Sequence, residues 1–130
     1  MRNKMALAAV TWVMLVGLPA SGDSVKTVES NGVKVTLHMS PAKPVLKSKT
    51  EVVFTFTDAQ TRKHAMINKM TVRWAMTEHG HDVSNTALMA AGDGDFHTTM
   101  EFPMMGAYAA IVTAEYEGTV IIATFPFNVK

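Results

Sequence analysis

From residue 33 onward, apolar side chains recur at every second position in one short run after another. That period belongs to half-buried β-strands. In "VKVTLHM", Val33, Val35, Leu37 and Met39 share one face, with Lys34, Thr36 and His38 on the other. "EVVFTFTD" sets Val52, Phe54 and Phe56 against Val53, Thr55 and Thr57, and "MTVRWAM" sets Met70, Val72, Trp74 and Met76 against Thr71, Arg73 and Ala75. "FHTTMEF" alternates Phe96, Thr98, Met100 and Phe102 with His97, Thr99 and Glu101. "AYAAIVTAEY" and "TVIIATFPFNVK" are further strands about a turn at Glu117-Gly118, and "NTALMAA" is a weaker, shorter candidate.

The interruptions are equally legible. Pro41 and Pro44 end the first element, because proline cannot donate to a ladder. "DAQTRKHAMINK" is a polar link, and "GDGD" and "PMMG" are turn chemistry. No helical period of useful length appears after the first 22 residues. The pattern predicts an all-β domain over residues 33–130, an immunoglobulin-like antiparallel β-sandwich of about seven strands.

The N-terminus follows other rules. Arg2 and Lys4 precede an apolar run from Met5 to Leu18, and small residues follow it. This is the pattern of a secretory signal peptide, here a helix over residues 1–22 with cleavage after Ala20 or Gly22. The run has 14 residues, against roughly 20 for a helix that crosses a bilayer. The expected location is therefore periplasmic or secreted, with an uncleaved membrane anchor as the alternative. Residues 23–32 are polar and read as a linker.

Losing the leader removes Arg2 and Lys4 and no acid, leaving 10 basic and 11 acidic residues, a net charge of −1. Such a chain lacks the clustered cations on which nucleic-acid affinity depends, so no nucleic-acid partner is expected. There is no cysteine, which excludes disulfides, a lipoprotein anchor and thiolate metal sites. His, Met and carboxylates remain as the available metal ligands.

One loop concentrates them. "MTEHGHD" carries Met76 at a strand end and His79 and His81 about Gly80. Residues two apart share a side if the strand runs through Gly80. Imidazole suits copper, zinc and nickel, whereas thioether selects Cu(I). The alternative is a solvated turn. Of the 11 methionines, Met39, Met70 and Met100 fall on core faces, as methionine commonly does. Met104 and Met105 sit in a turn where both cannot be buried in one direction, so one of them is a candidate soft ligand. His97 follows the "GDGD" turn and is a candidate to approach the loop from a neighbouring strand. His38 and His64 are expected simply to be exposed.

The turn "GDGD" lacks the oxygen ligands of a calcium loop. No nucleophile elbow, paired acid or glycine-rich phosphate loop stands out. A binding role, not an enzyme, is expected.

The order of these segments resembles the YtkA-like (FixH-like) family of small exported or membrane-tethered bacterial domains. The matching pieces are "TLHMSPAKPVLKSKTEVVFTFTDA", "MTVRWAMTEHGH", "GDGDFHTTMEFPMMGAY" and "TFPFNV", across roughly residues 33–129. The family loop often reads Met-Pro-x-Met-Gly-His; here Thr77 replaces the proline and His79 the second methionine, and Tyr108 is displaced by Ala107. The resemblance implies an immunoglobulin-like sandwich and, for some members, an association with copper transport and oxidase assembly. The resulting expectation is a metal-handling module, Cu(I) favoured. Met76, His79 and His81 form its nucleus, with His97 and either Met104 or Met105 as candidates to complete it. A plain interaction domain, docking on a membrane or periplasmic protein complex, is the competing reading.

Overall fold

The structure is a computed structural model that describes residues 24–78 and 80–130; the expected leader helix lies outside the described residues. Eight strands follow in order: β1 Ser24–Ser30, β2 Val33–Ser40, β3 Lys49–Asp58, β4 Lys69–Met76, β5 His81–Met89, β6 Phe96–Glu101, β7 Gly106–Tyr116 and β8 Thr119–Val129. All pair antiparallel, in two four-stranded sheets ordered β1-β2-β3-β6 and β5-β4-β7-β8. The connections β3–β4, β5–β6 and β6–β7 cross between the sheets, as immunoglobulin-like sandwiches require. Among the described residues there is no α-helix, and no helix long and apolar enough to cross a membrane.

The expected all-β sandwich is what forms, with one strand more. Most of the expected linker, residues 23–32, is instead a strand and its turn: Ser24 to Ser30 pair residue for residue with Met39 to Val33. The hairpin turns on Asn31 and Gly32, both at positive φ (47° and 82°), which is the type I′ geometry that Asn-Gly favours. β1 escapes the sequence pattern because it lies at an edge and only Val28 packs against the core. Its other support is polar. Lys26 Nζ donates to Pro126 O at 2.6 Å, Asn31 Nδ2 to Val120 O at 2.7 Å, and Ser30 Oγ accepts from Ile122 N at 3.2 Å. These bonds stitch β1 to the facing edge strand, β8.

The alternating faces meet as the sequence anticipates. Val33, Val35, Leu37, Met39, Val52, Phe54, Phe56, Met70, Val72 and Trp74 are all buried. Trp74 packs against Phe54, Phe102 and Phe127, with centroids 6.2, 5.7 and 5.9 Å apart. Phe102 in turn meets Tyr108 and Phe127 edge-on at 5.1 and 5.4 Å. Each such pair contributes about 0.5–1.5 kcal/mol beyond area burial. This aromatic cluster underlies one pole of the sandwich, formed by loop 41–48, loop 77–80 and turn 102–105. The other pole holds the 31–32 and 117–118 turns, link 59–68 and loop 90–95.

Candidate metal centre

At the first pole, β4 and β5 are joined by a four-residue loop, Thr77 to Gly80. Gly80 takes φ +66° and its N–H donates to Met76 O at 2.9 Å, closing the turn. The loop is bonded to the turn before β7. Thr77 N donates to Ala107 O at 3.0 Å, and Ala107 N donates to Glu78 Oε1 at 3.1 Å. Gly106 sits between them at φ +138°, where a Cβ would stand 2.8 Å from Glu78 Oε1 and 3.4 Å from Met76 Cε. Tyr108 then donates its hydroxyl to Met104 O at 2.7 Å, anchoring the turn from beneath.

The loop expected to carry the ligands is thus joined to the turn that bears Met104 and Met105. Those two side chains are 47% and 63% exposed. His81 begins β5 directly opposite Met76, and Met76 is opposite Tyr108 in the next strand. His79 and the side chain of His81 lie outside the described residues.

Two expected ligands are not on the exposed surface of this pole. Met76 is only 1% exposed and belongs to the core beside Trp74. The strand alternation that turns Met70, Val72 and Trp74 inward turns Met76 inward too, so it underlies the loop and is not part of its surface. His97 lies on the other sheet, opposite Val53. It faces outward and bonds Asp93 Oδ2 through Nε2 at 3.1 Å. Between the "MTEHGHD" loop and the turn before β6 runs the whole of β5, nine residues or about 27 Å of extended chain. His97 therefore belongs to the second pole.

His64, expected to be merely solvated, also has a setting there. Its Nε2 stands 3.1 Å from Asp95 Oδ1 and its ring lies over Gly94. Asp93, Asp95 and His97 each offer a ligand atom within 4.8 Å of the others. Asp93 is held below the usual carboxylate range, first by the Asp95 N–H and then by His97. The i, i+2, i+4 spacing of Asp93, Asp95 and His97 is a sequence signal for this cluster; His64, 31 positions before Asp95, gives none.

Beside the first pole a cleft of ≈ 540 Å³ opens between the sheet ends, adjoining Thr77 and Ala107. Tyr108, Phe127 and Pro126 supply apolar wall, and Lys26, Lys43 and Lys130 line it with no acidic side chain among its lining residues.

No family model and no curated protein matches this chain in sequence. Its fold is similar to that of FetP from uropathogenic Escherichia coli strain F11, at 11% identity and TM-score 0.56 over 82% of this chain and 95% of that one. A copper-bound variant of FetP aligns at 9% identity and TM-score 0.59, over 82% and 96% of the two chains. The soluble domain of PmoD from a Methylocystis species aligns at 13% identity and TM-score 0.56, over 80% and 96%. At these identities the likeness is one of fold.

Proposed function

We propose that this chain is an exported copper-handling module of the YtkA-like kind that binds and delivers metal and catalyses nothing. Its ion is Cu(I), taken at the first pole by the His79 and His81 imidazoles with the thioethers of Met104 and Met105. The observation that carries this reading is the bonding of Glu78 and Thr77 to Ala107, which ties the histidine-bearing loop to the methionine-bearing turn. The donor set fits the ion. With no cysteine in the chain, thioether and imidazole are the soft and borderline donors left, and thioether prefers Cu(I) among common metals. Exposed, adjacent methionines in a turn also lack the packing role that explains most buried ones. The copper-bound state of FetP, a protein of similar fold, and an N-terminus of secretory type support the same assignment.

A competition titration against a chromogenic Cu(I) chelator tests it. One equivalent should bind, weakening by at least about tenfold in His79→Ala/His81→Ala and again in Met104→Leu/Met105→Leu. Equal, weak binding by wild type and both double variants overturns it.

The cleft favours a second reading, in which the same pole docks on a protein. Three lysines around an apolar wall complement an acidic segment of a periplasmic partner, since opposed charge steers association. Charge reversal at Lys26 and Lys43 should then abolish capture of an acidic peptide bearing an aromatic residue, without altering the Cu(I) titration. Capture that survives the reversal removes this reading.

A further inference from the structure

We infer that the second pole holds an independent site for a borderline divalent ion, Zn(II) or Cu(II), formed by His64, Asp93, Asp95 and His97. The four side chains come from two segments that the sandwich brings together, link 59–68 and the turn before β6. Their backbones are fixed before any ion arrives. His64 bridges Thr57 of β3. The turn is closed by Gly94 N to Ala91 O at 2.9 Å and Ala91 N to Asp95 O at 2.8 Å. Gly94 keeps the space for the imidazole: a Cβ there would lie 3.1 Å from His64 Cε1.

The polar geometry asks for a cation. Asp95 Oδ1 is shielded from solvent and receives no hydrogen bond. His64 Nε2 stands 3.1 Å away, within ion-pair range, but no N–H is aligned on the oxygen. A shielded carboxylate oxygen without a donor is costly unless a positive charge reaches it. On the other side, His97 Nε2 and Asp93 Oδ2 are 3.1 Å apart, and Asp93, Asp95 and His97 already lie within 4.8 Å of one another. Zinc bonds of about 2.0–2.2 Å place tetrahedral ligand atoms about 3.3–3.6 Å apart. An ion would have to draw the half-exposed His97 and Asp93 side chains inward, toward the Asp95 carboxylate that His64 already reaches. Two imidazoles and two carboxylates are a borderline donor set, which selects Zn(II) or Cu(II) over calcium, whose six to eight ligands are oxygen.

The site does not depend on the Cu(I) reading, since it lies at the opposite pole and contains no sulfur. An ion here would clamp link 59–68 to loop 90–95, two of the longer unpaired stretches, in a domain without disulfides.

Calorimetric titration of the metal-free full chain with Zn(II) tests the inference. One equivalent should bind and raise Tm. Affinity should fall at least about tenfold in His64→Ala and in His97→Ala, and both binding and the Tm rise should vanish in the double variant. Asp95→Asn, which preserves shape, should weaken binding similarly without unfolding the chain. His79→Ala/His81→Ala should still take up the equivalent. The inference is overturned if zinc neither binds nor raises Tm, or if the His64→Ala/His97→Ala protein binds as wild type does. It is also overturned if zinc uptake is lost instead in His79→Ala/His81→Ala, which would assign the ion to the other pole.

Discussion

Glu78 Oε1 accepts the Ala107 N–H at 3.1 Å, and through that bond the loop after β4 and the turn before β7 become a single surface. The bond depends on the residue beside it. Gly106 has no side chain to collide with the carboxylate and takes a φ of +138° that L-residues rarely adopt.

Gly106→Ala should therefore separate the two loops. The new methyl would lie 2.8 Å from Glu78 Oε1, on top of a backbone strain of about 1–3 kcal/mol. Urea unfolding should show a loss of that size. Glu78→Ala, which keeps the glycine but leaves the Ala107 N–H without its acceptor, should lose less.

Phe102 is fully buried among Trp74, Tyr108 and Phe127. Phe102→Ala should cost about 3–5 kcal/mol, the range for a large aromatic cut back to a methyl in a packed core. Chemical denaturation measures it, and Phe102→Leu should recover more than half. A cost below 1 kcal/mol would mean that the cluster is loosely packed.

Asp58 accepts N–H bonds from Gln60 and Thr61 and the Tyr116 hydroxyl at 3.0 Å. The Thr61 N–H, followed by the Tyr116 hydroxyl, holds its carboxyl below the usual 3.8. A depressed carboxylate stabilises the fold above its unfolded-state value and ceases to do so as pH falls through its folded-state value. The Tm gap between wild type and Asp58→Ala should thus be constant above pH 5 and narrow steadily below 3.8. A gap that widens with acid would refute the assignment.

Peroxide should distinguish the methionines. Met66, Met89, Met104 and Met105 are exposed, while Met39, Met70 and Met76 are buried. Under native conditions, mass spectrometry should find sulfoxide at the first four well before the last three. Early oxidation of Met76 would show that its thioether reaches the surface and restore it as a ligand candidate. If Cu(I) binds at the first pole, its addition should protect Met104 and Met105 and leave Met66 unprotected.

How far the sequence carries depends on the range of the interaction being read. Alternation is local, so the faces of Val33, Phe54, Trp74 and Phe96 could be assigned from neighbours two residues away. β1 was missed because Val28 is its one core contact, and what holds it beyond its ladder with β2 is bonding to residues about 90 to 100 positions later. Asn31-Gly32, a hairpin signal in its own right, was the clue left unused. Met76 stands at the strand end where the sequence put it, turned inward by the same alternation that buried Trp74. His97 was misplaced for a different reason: the nine residues of β5 carry the chain to the opposite pole before His97, and "NTALMAA" reads as only a weak, short strand. The approach of His64 to Asp95 is legible only once the two connections share a pole.

The stitching of β1 to β8 has a consequence for how such a chain behaves when crowded. An uncovered terminal strand offers its main-chain groups to any neighbouring molecule, and ordered ladders grow from that contact. Here Lys26, Ser30 and Asn31 already occupy two carbonyls and one amide of β8. A copy that lost these three side chains would keep its core and gain a template for intermolecular fibrils.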